Sequence, residues 1–377
     1  MRKKGRKEIG NSTNKEVIKN LITDEYELKA RHLFLQGECP IIPVSGEKHL
    51  HLVAVGDSPL MRAAVRQAVL LAHFPNYNDD NGKNRTMVTW LAENVEKLYK
   101  ELMEGASGFG NLLKYCRHTK LDEEPENKDS FIDVEFCFRP LSQEWLGTLQ
   151  QADDEQLLVM YLKGEGENLG VSQEQRKEID EASLKVEQPD LTRAKYLNMV
   201  YDMAGSYFNE ISPMHKTLVH DIQRPINNIC KNLTEKRREK NWNELKDDKN
   251  KLSNLYCGDN FELRVAWILN NGKVEDLKEA VKERCLELSR TEHARWNVEK
   301  LINGFRPYTP EELEADALTL NCNKRKELRN RLKKRAADPA HIDLCTCHDI
   351  RHRNPSSFKY DAFLVLAMPS IMEKAKK

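Results

Sequence analysis

The clearest alternation of apolar and polar positions lies in "KHLHLVAVGDSPLMRAAVRQAVLLAHFPNY". Leu50 to Val55 is an apolar run of strand length, and Leu60, Ala64, Ala68 and Leu71 then recur at the spacing of one helix face. Gly56-Asp57-Ser58-Pro59 separates the two, with Asp or Ser at the cap and proline at a first helical position, so a helix is predicted to begin there and to end by His73 and Pro75. Further strands are predicted at Thr86 to Leu91, Phe131 to Phe138 and Gln156 to Leu162, with a helix over Ala92 to Leu102. The charged "HTKLDEEPENKDS" reads as a surface loop before Phe131. Strands alternating with helical material imply a parallel sheet, expected over residues 46–195 after an N-terminal arm of residues 1–45.

From Leu191 onward the strand-like runs give way to helical patterns rich in Lys, Glu and Asn, read as a helical connector over residues 196–272. In it, Trp242, Leu245 and Leu252 sit near helical spacing and are placed to dock the segment onto a neighbour. A mostly helical region follows over residues 273–377, where Leu277, Val281 and Leu288 lead into the helix of "RTEHARWNVEKLINGFRP". Helices are predicted at Pro310 to Ala317 and Asn323 to Ala337, a loop or broken helix at "DPAHIDLCTCHDIRHRNPSS", and a short amphipathic helix, interrupted at Pro369, in "FKYDAFLVLAMPSIMEKAKK". The expected class is α/β plus α.

Composition narrows the function classes. A chain of 377 residues exceeds what one hydrophobic core usually supports, so at least two domains are expected. The 60 basic and 60 acidic residues cancel, leaving no global field for nucleic acid or an anionic membrane surface. The alternating charges of "TEKRREKNWNELKDDKNKL" read as a solvated helix face. No apolar run approaches the ~20 residues that span a bilayer, and the basic start "MRKKGRKEIG" lacks the apolar core of a signal peptide. Nine scattered cysteines, an odd number, suit a reducing compartment. A cytoplasmic protein without nucleic-acid or membrane partners is expected.

Several constellations carry candidate chemistry. The turn Gly56, Asp57, Ser58 has the strand-turn-helix geometry that receives a phosphate, yet only one glycine of the G-x-G-x-x-G fingerprint is present and Asp57 would repel the anion. A second stretch, "LKGEGENLGVS", puts Gly164, Gly166 and Asn168 after a strand, at the sheet edge where ligands bind in open α/β folds, or in a flexible loop. A dinucleotide of the NAD or ADP-ribose type is the cofactor these positions would hold if their degenerate fingerprint still functions. His341, Cys345, Cys347, His348 and His352 invite a zinc reading, but C-x-C followed at once by His is poor tetrahedral spacing, and no metal is expected. No nucleophile elbow, P-loop, HExxH or kinase signature occurs, so no catalytic residue is assigned.

The strongest signal is the helix after Arg290. His293, Trp296 and Lys300 share one face, while Glu292, Arg295 and Glu299 form an adjacent row. This is either an aromatic plate with polar donors beside it, fit to stack on a ligand ring, or a core tryptophan with intrahelical ion pairs.

"TEHARWNVEKLINGFRP", then "HIDL", then "YDAFLVLAMPSIM" resembles the ryanodine receptor repeat domain in its bacterial form, whose pattern is H-x-R-W-x-x-E, a Gly-aromatic, a later His before an apolar-acidic pair, and a Tyr-Asp helix. The matching positions are His293, Arg295, Trp296, Glu299, Gly304, Phe305, His341, Tyr360 and Asp361. The upstream region is similar to the Rossmann-like nucleotide-binding domain of potassium-transport regulators, departing from it in the turn Gly56 to Pro59. Two further departures are the lack of membrane helices and the longer, more basic stretch Pro310 to Ala337. The resemblance implies a ligand-sensing or regulatory protein in bacterial signalling or defence that binds a nucleotide-derived small molecule. His293, Arg295, Trp296, Glu299, His341 and Tyr360 would form the pocket. The alternatives are an enzyme of nucleotide metabolism, or a scaffold anchored through Trp242 and Trp296 to a protein partner or a second copy.

Overall fold

The computed structural model describes residues 22–36, 40–77, 82–104, 108–149, 152–165, 169–210 and 218–376. Most of the basic N-terminal arm, and the candidate residues Gly166 and Asn168, lie outside them.

Helix α1 (Glu25–Leu35) precedes the sheet. Strand β1 (His49–Val55) leads through Gly56 to Ser58 into α2 (Pro59–Leu71), whose N-terminus Ser58 caps by accepting the Met61 N–H at 3.1 Å. Such a cap contributes about 1 kcal/mol. Next come β2 (Thr86–Ala92), α3 (Val95–Glu104), α4 (Phe109–Tyr115), β3 (Arg117–Lys120), β4 (Val134–Pro140), α5 (Gln143–Thr148), β5 (Glu155–Leu162) and β6 (Arg176–Ile179). The strands form one six-stranded sheet in the order β3-β4-β2-β1-β5-β6, and every pairing is parallel.

Side chains alternate across each strand, so a sheet covered on both faces needs apolar residues at odd and even positions alike. That is the pattern here. Leu52, Ala54, Trp90, Phe136, Phe138 and Met160 enter the main core on one face, while Val53, Val55, Leu91, Val159 and Tyr161 form a separate cluster on the other. The rings of Trp90, Phe109, Phe136 and Phe138 pack with centroids 5.7 to 6.3 Å apart, each pair adding about 0.5–1.5 kcal/mol to its burial.

The helical part comprises α6 (Thr192–Ala204), α7 (Leu218–Lys231), α8 (Glu235–Glu244), α9 (Asp248–Asp259), α10 (Phe261–Asn270), α11 (Leu277–Glu283), α12 (Cys285–Ile302), α13 (Pro310–Leu318), α14 (Cys322–Lys333), α15 (Cys347–Arg353) and α16 (Pro355–Ala375). Trp242 is buried with Leu245 and Leu252 packed beside it, so the charged segment docks through those three. One apolar cluster runs without a break from Phe34 through the sheet face to Met372, and the connector helices are built into it.

Two expectations need correction. The C-terminal helix is neither short nor interrupted: it spans Pro355 to Ala375 with Pro369 inside it. Its residues from Phe358 to Met372 are nearly all buried, and tertiary packing outweighs the one hydrogen bond proline removes. The charged loop before Phe131 begins only after β3, because His118, Thr119 and Lys120 already pair with β4. Among the described residues no helix is long and apolar enough to cross a membrane.

Candidate functional site

Helix α12 is polar on both of its inward rows, which conceals its burial from any amphipathic reading. Its C-terminus answers to the sequence "LINGF". Gly304, at φ +83°, follows the last turn; its N–H donates to Leu301 O at 2.9 Å and the Phe305 N–H to Lys300 O at 3.0 Å. These are the two bonds of a Schellman stop, and a left-handed φ there costs glycine nothing. The chain then turns so that Arg306 bridges Ala340, with His341 N donating to Arg306 O at 2.9 Å. That bridge brings His341 beside Trp296, their rings 4.8 Å apart edge to face.

The row Glu292, Arg295, Glu299 is the buried frame of the site, each residue 1% exposed or less. Arg295 donates to Glu292 through Nε at 3.0 Å and Nη2 at 2.8 Å, and to Glu299 through Nη1 at 2.8 Å. Arg264 adds a bond to Glu292 at 2.5 Å, while Ser253 at 2.7 Å and Lys300 at 2.9 Å complete Glu299. Burial opposes the charge on Glu292, yet Arg295 and Arg264 outweigh it and hold the carboxyl at about 2. The same exchange keeps Arg295 firmly protonated against its desolvation. A guanidinium spent in this way shapes the wall of a site and leaves the contact with a ligand to its neighbours.

The other row faces a cavity of about 430 Å³, lined by His293, Trp296 and Lys300 from α12, His341 from the following loop and Tyr360 from α16. Arg295 also reaches the lining, so five of the six residues singled out in the sequence meet at one cavity; Glu299 lies behind its wall. Trp296 is half-buried, as are His341 and Tyr360, with the His293 ring nearly parallel to it at 6.1 Å and Lys300 Nζ 5.4 Å from its centroid. His293 donates Nε2–H to Cys345 O at 3.0 Å and points Nδ1 at Asp361 Oδ2, 3.4 Å away. Burial disfavours its charge, but Asp361 and the carbonyl prevail and raise its pKa well above the usual imidazole value. His341 behaves oppositely: burial pushes it down to about 4, with Lys333, Lys300 and His293 adding to the effect. Its Nδ1 accepts the Asp343 N–H at 3.3 Å, so the neutral ring carries its proton on Nε2.

Sequence reasoning missed the opposite wall, supplied by the connector. Asn254 donates to Asn198 at 3.3 Å, Asn198 to Asn241, and Asn241 to Asp202 at 2.9 Å, a directional chain of amides ending on a carboxylate. Tyr201 stacks on Tyr360 with centroids 3.9 Å apart. The asparagine content of the connector was the available signal, but nothing in its spacing pointed toward α12.

The glycine turns form a different environment. Gly56, at φ +90°, ends β1 where the chain departs toward β2, while β5 on its other side leads to β6, so the two strands flank the switch point where such sheets admit ligands. Glu165 closes that crevice: a Cβ on Gly56 would lie 3.1 Å from Glu165 Oε2. Partial desolvation, then Asp57 and Glu93, push the carboxyl of the exposed Glu165 up. Ser58 Oγ is committed to its cap, and Gly164, at φ +90°, only turns the chain. The described part of this edge is thus acidic and unsuited to phosphate.

The zinc candidates disperse. Cys345 and Cys347 are buried, with Cys345 Sγ donating to Asp343 O, and His348 and His352 tilt against each other 5.1 Å apart. Among the described residues no group of three His, Cys, Asp or Glu side chains is arranged to hold a metal. Of the cavity's hydroxyls and thiols, Ser253 and Ser357 donate to Glu299 and Asp343, and burial raises the Cys257 thiol far above its ordinary value. Compared with models of protein families, with characterised proteins and with solved structures, the chain matches none.

Proposed function

We propose that this chain is a ligand-sensing or regulatory protein that binds a nucleotide-derived small molecule in the cavity beside α12. One observation carries the reading: a half-buried tryptophan, the widest stacking surface a protein offers, lines a cavity whose other walls are mostly hydrogen-bonding groups, with Leu245, Ile350 and Leu364 among them. The resemblance of this segment to the ryanodine receptor repeat domain supports the same assignment. Response follows from where α12 ends. Phe305 O accepts from Asn111 of α4 at 3.1 Å, so a ligand that shifts α12 also loads the helix that feeds β3.

The test is native mass spectrometry of the full chain with ADP-ribose, NAD, ATP and cyclic nucleotides. The expected result is a retained adduct of unchanged mass that disappears in Trp296→Ala while the circular dichroism spectrum is preserved. Conversion of the adduct to a product would favour an enzyme of nucleotide metabolism, and the absence of any adduct would overturn the proposal.

A further inference from the structure

We infer that Lys300 and Lys333 form an anion subsite in this cavity, which selects the phosphorylated form of the ligand over its dephosphorylated counterpart. The inference rests on the receptor reading above and adds a residue, Lys333 at the end of α14, that lies outside the motif on α12.

Lys300 is 6% exposed, and of its three N–H donors one is accounted for, by Glu299 at 2.9 Å. Both of the others remain for whatever occupies the cavity it lines. Lys333 lines the same cavity and makes no ion pair among the described residues. The two lysines thus face one space, and the Lys333 ammonium pKa is lowered, by partial desolvation first and then by Lys300, against the opposing pull of Asp343 and Asp247. A phosphate placed between them would remove that repulsion and gain charge-assisted bonds from each. The carboxylates beside α12 have partners of their own. Asp343 is occupied by Asn354 at 2.8 Å and Ser357 at 2.5 Å, and Asp361 faces His293. The neutral His341, with its proton on Nε2, adds a donor without adding charge.

The remaining polar wall suits the uncharged portion of such a molecule. Asn198 and Asn241 offer amide donors and acceptors and Asp202 a carboxylate acceptor in one row, the complement of a sugar's hydroxyls. Helix α9 joins the two neighbourhoods, since Ser253 reaches Glu299 and the adjacent Asn254 reaches Asn198. A phosphorylated sugar, alone or as part of a nucleotide, satisfies both at once.

Calorimetric titration of the full chain with AMP against adenosine, and with ribose 5-phosphate against ribose, tests this. The expected result is that a phosphorylated member binds at least about tenfold more tightly than its partner, and that Lys333→Gln removes that advantage while the unphosphorylated compound binds as before. Lys333 is exposed and has no ion pair among the described residues, so its replacement leaves the buried frame intact. Tighter AMP binding alone would identify a nucleotide site, and tighter ribose 5-phosphate binding a sugar phosphate site. Adenosine binding that is lost in Trp296→Ala, with no gain from phosphate, would overturn the anion subsite and leave the receptor standing. If no compound binds at millimolar concentration, both fall.

Discussion

Arg295 clasps the Glu292 carboxylate at two points, Nη2 to Oε1 at 2.8 Å and Nε to Oε2 at 3.0 Å, with both residues 1% exposed. Two charges so placed lose their hydration, and each is tolerated because the other, with Arg264 and Glu299 beside them, is there. Arg295→Met should therefore cost about 3–5 kcal/mol, the penalty of leaving Glu292 and Glu299 buried without their shared partner. Arg295→Lys should recover little of it, because one ammonium cannot reproduce the three-nitrogen fork. Urea denaturation measures both; a loss below about 1 kcal/mol for Arg295→Met would place the pair among those that contribute little.

His293 gives the fold a pH dependence of definite sign. Its folded-state pKa stands above the unfolded value near 6.5 because Asp361 and Cys345 O hold both ring N–H groups. Its contribution is therefore fully present below pH ~6.5 and is lost as pH rises through the folded value. Ring nitrogen NMR should find His293 protonated at pH 7.5. In Asp361→Asn the resonance should titrate at lower pH, and the alkaline loss of stability should begin earlier. An unchanged titration in that variant would assign the effect to Cys345 O alone.

How much of this was legible in the sequence depends on what each residue contacts. β1, β2 and β5 announced themselves because both faces are covered and their residues are apolar in succession, as in "LHLVAV" and "QLLVMYL". The edge strands "RHTK" and "RKEI" did not, since an edge exposes one face and one flank to water and carries charge there. On α12 the spacing of His293, Trp296 and Lys300 was readable, whereas the depth of its polar rows was not. Glu292 and Glu299 look like solvated acids until Arg264 and Ser253 arrive from helices tens of residues away. Long-range partnership of that kind leaves no local period to detect.

The junction between α12 and the sheet depends on a single glycine. Gly108, at φ +78°, precedes α4, and a Cβ there would lie 2.8 Å from Ile302 O, a backbone atom that cannot step aside. Gly108→Ala should destabilise the protein by about 1–3 kcal/mol through left-handed strain and overpacking together. Gly147 in α5 is the control: a Cβ there meets nothing within 4 Å, and alanine at a helical position should stabilise by about 0.5–1 kcal/mol. Thermal melts of the two variants should move in opposite directions, and equal shifts would refute the role given to the Ile302 contact.

Glu165 decides what the sheet edge can accept. Its folded-state pKa is raised, by partial desolvation first and then by Asp57 and Glu93. A raised carboxyl contributes stability that is present below its unfolded value near 4.5 and is lost as pH climbs through the folded one. Glu165→Gln should therefore melt above the parent protein at pH 7.5 and converge on it toward pH ~3, where the parent is protonated in both states. A variant less stable by the same amount at both values would mean that the carboxylate instead holds the turn over Gly56. If the relief is seen, the crevice at the switch point is strained by surplus negative charge even when empty, and a pyrophosphate would deepen that strain. On the function proposed above, recognition of an anionic ligand would then fall to α12, where Lys300 faces the cavity.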